Sequence, residues 1–312
     1  MAQSIHPTLL EKGIRASFVE NLIKAGTSGI AEKLCSLVQS RADSEKYGWM
    51  GPPEQMEEAG SSTVSGSATV PFSALSDASY TITNRKFWRG FAVSRDDLAD
   101  DQVGGIALRI AQLATVAANH RDKLVIDTIV ANGNCYDGTA FFGNSHTSMS
   151  GEGTQDNLLG GSGTSTANAM TDINTAIRTM AEFIGENSEP FHSTMSQFLV
   201  LAPFTMRKPL LEALQAEYVS QTNNVQVDGL SFTVHFDARL NIGSSADAND
   251  WYMFHTGSGL KPLIFQEREP LTLERDETSG HAFETEQYRY KVRARYSCGF
   301  GFWQDAVKFV NS

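Results

Sequence analysis

One uninterrupted stretch, Gln102 to Asn132, constrains this chain more than any other. Val103, Ile106, Ile110, Leu113, Ala117 and Leu124 recur at three- and four-residue steps with no proline among them. That is the spacing of a helix that buries one stripe and leaves the opposite side polar. Asp96, Asp97, Asp100 and Asp101 stand ahead of it, where carboxylates accept first-turn N–H groups and oppose the helix dipole. Asn132 and Gly133 follow it, residue types that tolerate the left-handed turn closing a helix. The spacing predicts a helix over 102–132, roughly 45 Å long at about 1.5 Å per residue. A compact core needs less, so this helix reads as a spine.

The flanks of that helix differ in kind. Residues 1–45 hold one short amphipathic helix, Ser17 to Ala25, which carries Phe18 and Leu22, and a weaker one from Ser28 to Val38. Neither is long enough to be stable alone in water, so the segment reads as an arm that lies on something else. From Lys46 to Ser79 the composition turns to Gly, Pro, Ser, Thr and Glu. So long a stretch without helical period is rare inside a compact domain. The apolar pairs Tyr47 with Trp49 and Val70 with Phe72 make it a candidate protruding β-tongue. Strands returning to the body are predicted over Tyr80 to Val93.

Beyond the spine, helical spacing returns over Thr166 to Ile184 and again after Pro203, with a short apolar strand, Phe198 to Leu201, between them. Alternation predicts strands on both sides of the Asp228-Gly229 turn and through Tyr288 to Tyr296, and Trp251 to His255 and Lys261 to Phe265 read as two more strands. The mixture is α+β, and the late strands are expected to pack on the early spine.

At 312 residues the chain is long enough to bury about three quarters of its unfolded surface. Cys35, Cys135 and Cys298 show no CxxC spacing and read as small buried hydrophobes. No signal-peptide core and no run of 18 apolar residues occurs, so a soluble, non-exported chain is expected. Its net charge of −11 argues against gripping nucleic acid through phosphates. Arg289, Lys291, Arg293 and Arg295 alternate as the solvated side of a strand would.

Candidate chemistry is sparse. His146 follows Asp137 by nine residues, but no third ligand stands at metal spacing, so a structural hydrogen bond is expected. Ser145 precedes His146 without a GxSxG elbow. The Asp96–Asp101 run lacks the order of a calcium loop and reads as helix capping. The glycine-rich stretches at 160–163 and 257–259 match neither phosphate-loop pattern. Trp49, Trp88, Trp251 and Trp303 read as core or interface packing. The sequence assigns no catalytic residue, no cofactor and no metal. What is unusual is architectural: arm, tongue and spine could each bury more surface against a neighbouring copy than within one subunit, which predicts an obligate assembly.

Four stretches, in order, carry a resemblance: Tyr47-Gly48-Trp49-Met50-Gly51; Tyr80-Thr81-Ile82-Thr83-Asn84 through Val93-Ser94-Arg95-Asp96-Asp97-Leu98-Ala99-Asp100-Asp101; Tyr136-Asp137-Gly138-Thr139-Ala140-Phe141-Phe142 with His146; and Gly299-Phe300-Gly301-Phe302-Trp303-Gln304. Lys261-Pro262-Leu263-Ile264-Phe265-Gln266 adds a fifth. Together they resemble the major head (capsid) proteins of tailed phages, specifically the Mu-like family.

The resemblance implies an HK97-like capsid fold. Its parts would be an N-terminal arm at 1–45, an extended loop at 46–85, a peripheral domain at 86–164 and 261–312 that carries the spine, and an axial domain at 165–260. It implies a structural protein rather than an enzyme, one that self-assembles into an icosahedral head enclosing double-stranded DNA. The partners it implies are the chain itself in hexamers and pentamers, a scaffolding protein, a portal, a decoration protein, and packaged DNA held without sequence specificity. No membrane is implied, and the location is the virion, assembled in the host cytoplasm. Tyr47, Trp49, Val70, Phe72, Phe18 and Leu22 are the expected inter-subunit contacts. An encapsulin-like compartment shell is the alternative on the same fold. Some relatives link subunits through a lysine–asparagine isopeptide bond. Here Lys46 and Lys86 flank the tongue and its middle has no lysine, so a non-covalent shell is expected. No long charged segment precedes the arm, and no large N-terminal scaffold domain is expected.

Overall fold

The computed structural model describes residues 29–49, 78–94, 96, 105–147, 153–185, 190–215, 218–219, 222–223, 229–241, 248–276 and 284–311. In chain order its first elements are α1 (Ile30–Leu34), β1 (Cys35–Gln39), β2 (Ser44–Trp49), β3 (Ala78–Thr83), β4 (Arg85–Ser94), α2 (Gly105–Ala131), β5 (His146–Thr147), β6 (Thr154–Gln155) and β7 (Leu158–Gly160). Then come α3 (Thr166–Glu182), β8 (Gln197–Ala202), α4 (Arg207–Gln215), β9 (Tyr218–Val219), β10 (Thr222–Asn223), β11 (Ser231–Phe236), β12 (Trp251–His255), β13 (Leu263–Asp276), β14 (Gln287–Phe300) and β15 (Ala306–Val310). The chain divides into two compact units, one of Met1–Glu45, Ile82–Ile129 and Ile264–Gly299, the other of Lys46–Thr81, Val130–Leu263 and Phe300–Ser312.

In the first unit the predicted spine is α2, a helix of 27 residues and roughly 40 Å. Residues 102–104, with Asp97, Asp100 and Asp101, lie outside the described residues. The helix ends as its sequence requires, with Asn132 in the left-handed region at φ +46°. Beneath the helix lies a four-stranded sheet in the order β1-β13-β14-β4. β14 and β4 run antiparallel from Gln287 opposite Ser94 to Tyr296 opposite Arg85. Because side chains alternate across a strand, Tyr290, Val292, Ala294 and Tyr296 are all buried. Val292 joins Ile110, Leu113 and Ala114 of the spine in one apolar cluster. Each large side chain buried there contributes about 1.5–3 kcal/mol. Late strands therefore do pack on the early helix. Gly90 has a steric reason to be glycine, since a Cβ there would stand 2.6 Å from the Tyr290 carbonyl oxygen.

The weak helix expected over Ser28 to Val38 is shorter than its pattern suggested. Only Ile30–Leu34 is helical, and Cys35–Gln39 forms the edge strand β1. A single helical turn is unstable by itself, and this one is held by the spine. Asp122 Oδ1 accepts the Ala31 N–H at 3.0 Å, doing what the capping residue Gly29 cannot. A Cβ at Gly29 would meet that carboxylate at 2.7 Å. At the root of the tongue, Glu45 Oε1 accepts from the Arg41 and Ala42 N–H groups and from Ser40 Oγ. Asn84 Nδ2 donates to Ser40 Oγ and to the Ala42 carbonyl at 2.8 and 2.9 Å. Departing and returning chain are thus tied together where β2 and β3 begin and end their two-stranded sheet.

The second unit centres on a five-stranded mixed sheet, β11-β8-β12-β15-β7. β8 and β12 are buried along almost their whole length, as apolar runs covered on both faces must be. β11 lies parallel to β8, with Ser231 opposite Gln197 and Phe236 opposite Ala202, and α4 makes the crossover between them. The strand expected after Asp228-Gly229 is therefore present, but its partner is β8; residues 224–228 lie outside the described residues. α3 starts where Ser165 Oγ accepts the Asn168 N–H at 3.2 Å and buries Ala169, Ile173, Ala176 and Met180. Trp251 stacks on Phe309 across β12 and β15 at 4.6 Å. Among the described residues, no helix is long and apolar enough to cross a membrane.

Candidate assembly surface

The outward face of the four-stranded sheet is built by the residues between the buried ones. Lys291 pairs with Glu274 at 2.6 Å, Arg293 with Glu269 at 2.9 Å, and Arg295 with both Asp43 at 2.6 Å and Glu269 at 3.3 Å. The alternating basic residues are the partly solvated side of a strand, as expected, and Lys291, Arg293 and Arg295 are answered by Glu269 and Glu274 of β13 and by Asp43. Lys291 and its neighbour Arg293 hold the Glu274 carboxyl below its ordinary range. A ladder neutralised within the subunit offers little net charge to a phosphate backbone.

Trp88 stands on that face opposite Arg293. It is 63% exposed, with the Lys86 ammonium 4.5 Å from its ring centroid. Leu108 and Val116 of the spine are exposed to similar degrees, 62% and 60%, as is Leu37 of β1 at 61%. A contiguous apolar patch, rather than a single exposed residue, is what marks a surface covered by another chain.

Of the contacts expected from sequence, Phe18, Leu22, Val70 and Phe72 lie outside the described residues. Tyr47 lies on β2 and is partly buried; Trp49 ends the same strand. The other tryptophans divide cleanly: Trp251 and Trp303 are fully buried.

The loop after the spine is closed by side chains. Asn132 Oδ1 accepts the Phe142 N–H at 2.7 Å while its Nδ2 donates to the Phe142 carbonyl at 2.9 Å. Asp137 sits within it, accepting from Cys135 Sγ and the Thr139 N–H on Oδ1, both at 2.9 Å, and facing His146 Nδ1 across 2.6 Å on Oδ2. Burial pushes the Asp137 carboxyl up, but the bonds from His146, Cys135 and Thr139 outweigh it and hold the group below its ordinary value. Burial, followed by the bond to Asp137, pushes the Cys135 thiol far up, so it stays protonated and unreactive. His146 is fully buried and stacks on Trp303 at 4.3 Å. Ser145 is exposed beside it, so adjacency gives no nucleophile and base. The expected structural hydrogen bond is what Asp137 and His146 make.

A third polar group was not legible in the sequence, because its successive members stand 63 and 50 residues apart along the chain. His192, His255 and Asp305 meet beneath the five-stranded sheet, with Asp305 Oδ1 3.4 Å from His192 Nε2 and 3.1 Å from His255 Nδ1. Ser258 Oγ lies 3.0 Å from the same His255 nitrogen and donates to the same Asp305 oxygen at 2.6 Å. Serine and carboxylate both address one imidazole nitrogen, so the trio cannot relay a proton as a nucleophilic triad does.

The family model described as Mu-like prophage major head subunit gpT matches residues 8–181 and 223–311 of this chain. The Mu-like prophage FluMu major head subunit of Haemophilus influenzae is 23% identical over 299 residues, which cover 94% of this chain and 70% of that protein. The major capsid protein of Escherichia phage Mu is 23% identical over 280 residues, covering 88% of this chain and 64% of its own. Among solved structures, the procapsid of bacteriophage JBD30 contains a chain similar at a TM-score of 0.54 and 21% identity, over 99% of this chain and 77% of that one.

Proposed function

From the premise that this chain belongs to the Mu-like prophage major head subunit gpT family, we propose that it closes into an icosahedral shell of hexamers and pentamers enclosing double-stranded DNA. The family is one of structural head subunits, not enzymes, and the fold is the α+β, HK97-like capsid fold. The observation that carries the reading is the family match, which spans the spine, its sheet and most of the second unit. Trp88 on the outer face of the sheet, and Leu108 and Val116 on the spine, are exposed apolar side chains that neighbouring subunits would cover in such a shell.

In this reading the unit bearing the spine serves as the peripheral domain and the unit with the five-stranded sheet as the axial domain. The boundaries 86–164 with 261–312, and 165–260, are the sequence's version of that division. Arm and tongue reach neighbouring copies through Phe18, Leu22, Tyr47, Trp49, Val70 and Phe72. A portal, a scaffolding protein and decoration proteins complete the particle in the host cytoplasm. DNA is confined rather than gripped, because the net charge is −11 and Lys291, Arg293 and Arg295 of β14 are already paired.

The test is electron microscopy with sedimentation of the chain expressed by itself and together with its phage's scaffolding protein. Closed shells, tubes or capsomer sheets are expected. A compact monomer under both conditions contradicts the proposal. Shells from infected cells that hold protein cargo and no nuclease-protected DNA would make the chain a compartment instead.

A further inference from the structure

We propose that His192, His255 and Asp305 bind one divalent transition-metal ion, with Zn2+ the first candidate, inside the unit built on the five-stranded sheet. The three side chains come from the turn before β8, the end of β12 and the turn before β15, so one ion would join three segments distant in sequence. They are almost fully buried, with side-chain exposures of 6%, 4% and 0%.

The donor set and its spacing fit the ion. Two imidazoles and a carboxylate are the ligand types of zinc sites. In a tetrahedral centre with bonds of about 2.0–2.1 Å, ligand atoms lie roughly 3.3–3.4 Å apart. The Asp305 oxygen stands 3.4 and 3.1 Å from the two imidazole nitrogens. The Gln304 carbonyl oxygen, 3.2 Å from His192 Nε2, and Ser258 Oγ are at hand for the fourth position.

Hydrogen bonding alone leaves this cluster lopsided. Asp137 spreads its three partners over both carboxylate oxygens. Asp305 instead gathers His192, His255 and Ser258 around Oδ1, while its buried Oδ2 has no hydrogen-bond partner among the described residues. Around His192 Nε2 stand a carboxylate and a carbonyl, two acceptors that a cation would satisfy together.

The second buried trio, Cys135, Asp137 and His146, has the ligand types, but each member already answers another, and Cys135 resists becoming a thiolate.

The test uses the full chain, stripped with EDTA and desalted, then titrated with Zn2+ against a chromophoric chelator and separately with Co2+. One equivalent per chain, the visible absorption of tetrahedral Co2+, and a higher melting midpoint with Zn2+ are expected. The His192→Gln/His255→Gln variant should bind at least ~100-fold more weakly with an unchanged circular dichroism spectrum. Asp305→Asn provides a second variant should that one fail to fold. Wild-type chain that takes up no Zn2+, a Co2+ spectrum that is not tetrahedral, or binding unchanged in a folded variant would each overturn the proposal.

Discussion

Replacing Trp88 with threonine separates what holds one subunit together from what holds subunits to each other. Threonine keeps the β-propensity of the position, so the strand itself should survive. A tryptophan presents about 250 Å2 at most, and with 63% exposed about 160 Å2 remains uncovered in the lone subunit. The covered remainder, about 90 Å2, is worth about 2 kcal/mol at ~25 cal/mol per Å2. The Lys86 contact adds about 0.5–1 kcal/mol at such an exposed site. Trp88→Thr should therefore lower subunit stability by about 2–3 kcal/mol, read as the urea midpoint of unassembled protein.

Assembly should suffer separately. If a neighbour covers half of the uncovered area, the loss per contact is about 2 kcal/mol, or roughly 30-fold in the association constant. Because every subunit in a shell repeats the contact, the concentration needed for assembly should rise at least that much. Sedimentation velocity over a concentration series, with negative-stain microscopy of each fraction, measures it. A variant that is destabilised as calculated yet forms shells at the wild-type concentration would refute the assignment of this face to a subunit contact.

Other consequences are more local. Asn132→Ala removes two hydrogen bonds worth about 1 kcal/mol each and forces alanine into the left-handed region at about 1 kcal/mol more. It should cost about 3 kcal/mol by chemical denaturation, and Asn132→Gly should recover only the conformational part. The folded Asp137 carboxyl is held below its unfolded value of about 3.9. Its stabilisation is complete above that value and fades as pH falls through the lower folded one. Asp137→Asn should cost about 1–3 kcal/mol at neutral pH and flatten the acid limb of a stability–pH curve; a limb as steep as wild type would sink this account. His120, facing Tyr296 Oη at 2.7 Å, is pushed down by burial and then by Lys123. The unfolded chain therefore takes the proton first, and stability should fall as pH drops below the unfolded value of about 6.5. His120→Gln should remove that part of the slope between about pH 7 and about pH 5.

What the sequence made legible is what period and capping chemistry control. Ile110, Leu113 and Leu124 fall on the buried stripe, and Asn132 terminates the helix, because helix geometry converts spacing directly into a face. β14 was legible for the same reason at a period of two, and β12 as a short apolar run. The failures share a different cause. Cys35–Gln39 left its helix because β13 offered hydrogen bonds that no local rule reports. β11 lies parallel to β8 because α4 carries the chain across the sheet, a pairing no local rule reports. His192, His255 and Asp305 could not be grouped at all, since only the packing of three strand ends brings them together.

The charge pattern shows how sequence and fold combine to set a function. An alternating row of Arg289, Lys291, Arg293 and Arg295 could serve either a sheet or a polyanion. The choice lies on β13, where Glu269 and Glu274 arrive beside the cations. Such half-exposed pairs contribute little stability, about 0–1 kcal/mol each, so fold stability alone does not require the ladder. Its larger effect is on what the face will not bind: paired cations release few counterions from nucleic acid and bind it weakly. A head subunit that enclosed DNA while carrying an unpaired strip of arginines would adhere to it at every copy. In the proposed shell, the pairing of Lys291, Arg293 and Arg295 leaves Trp88 as the exposed apolar side chain of that face, suited to protein rather than to DNA.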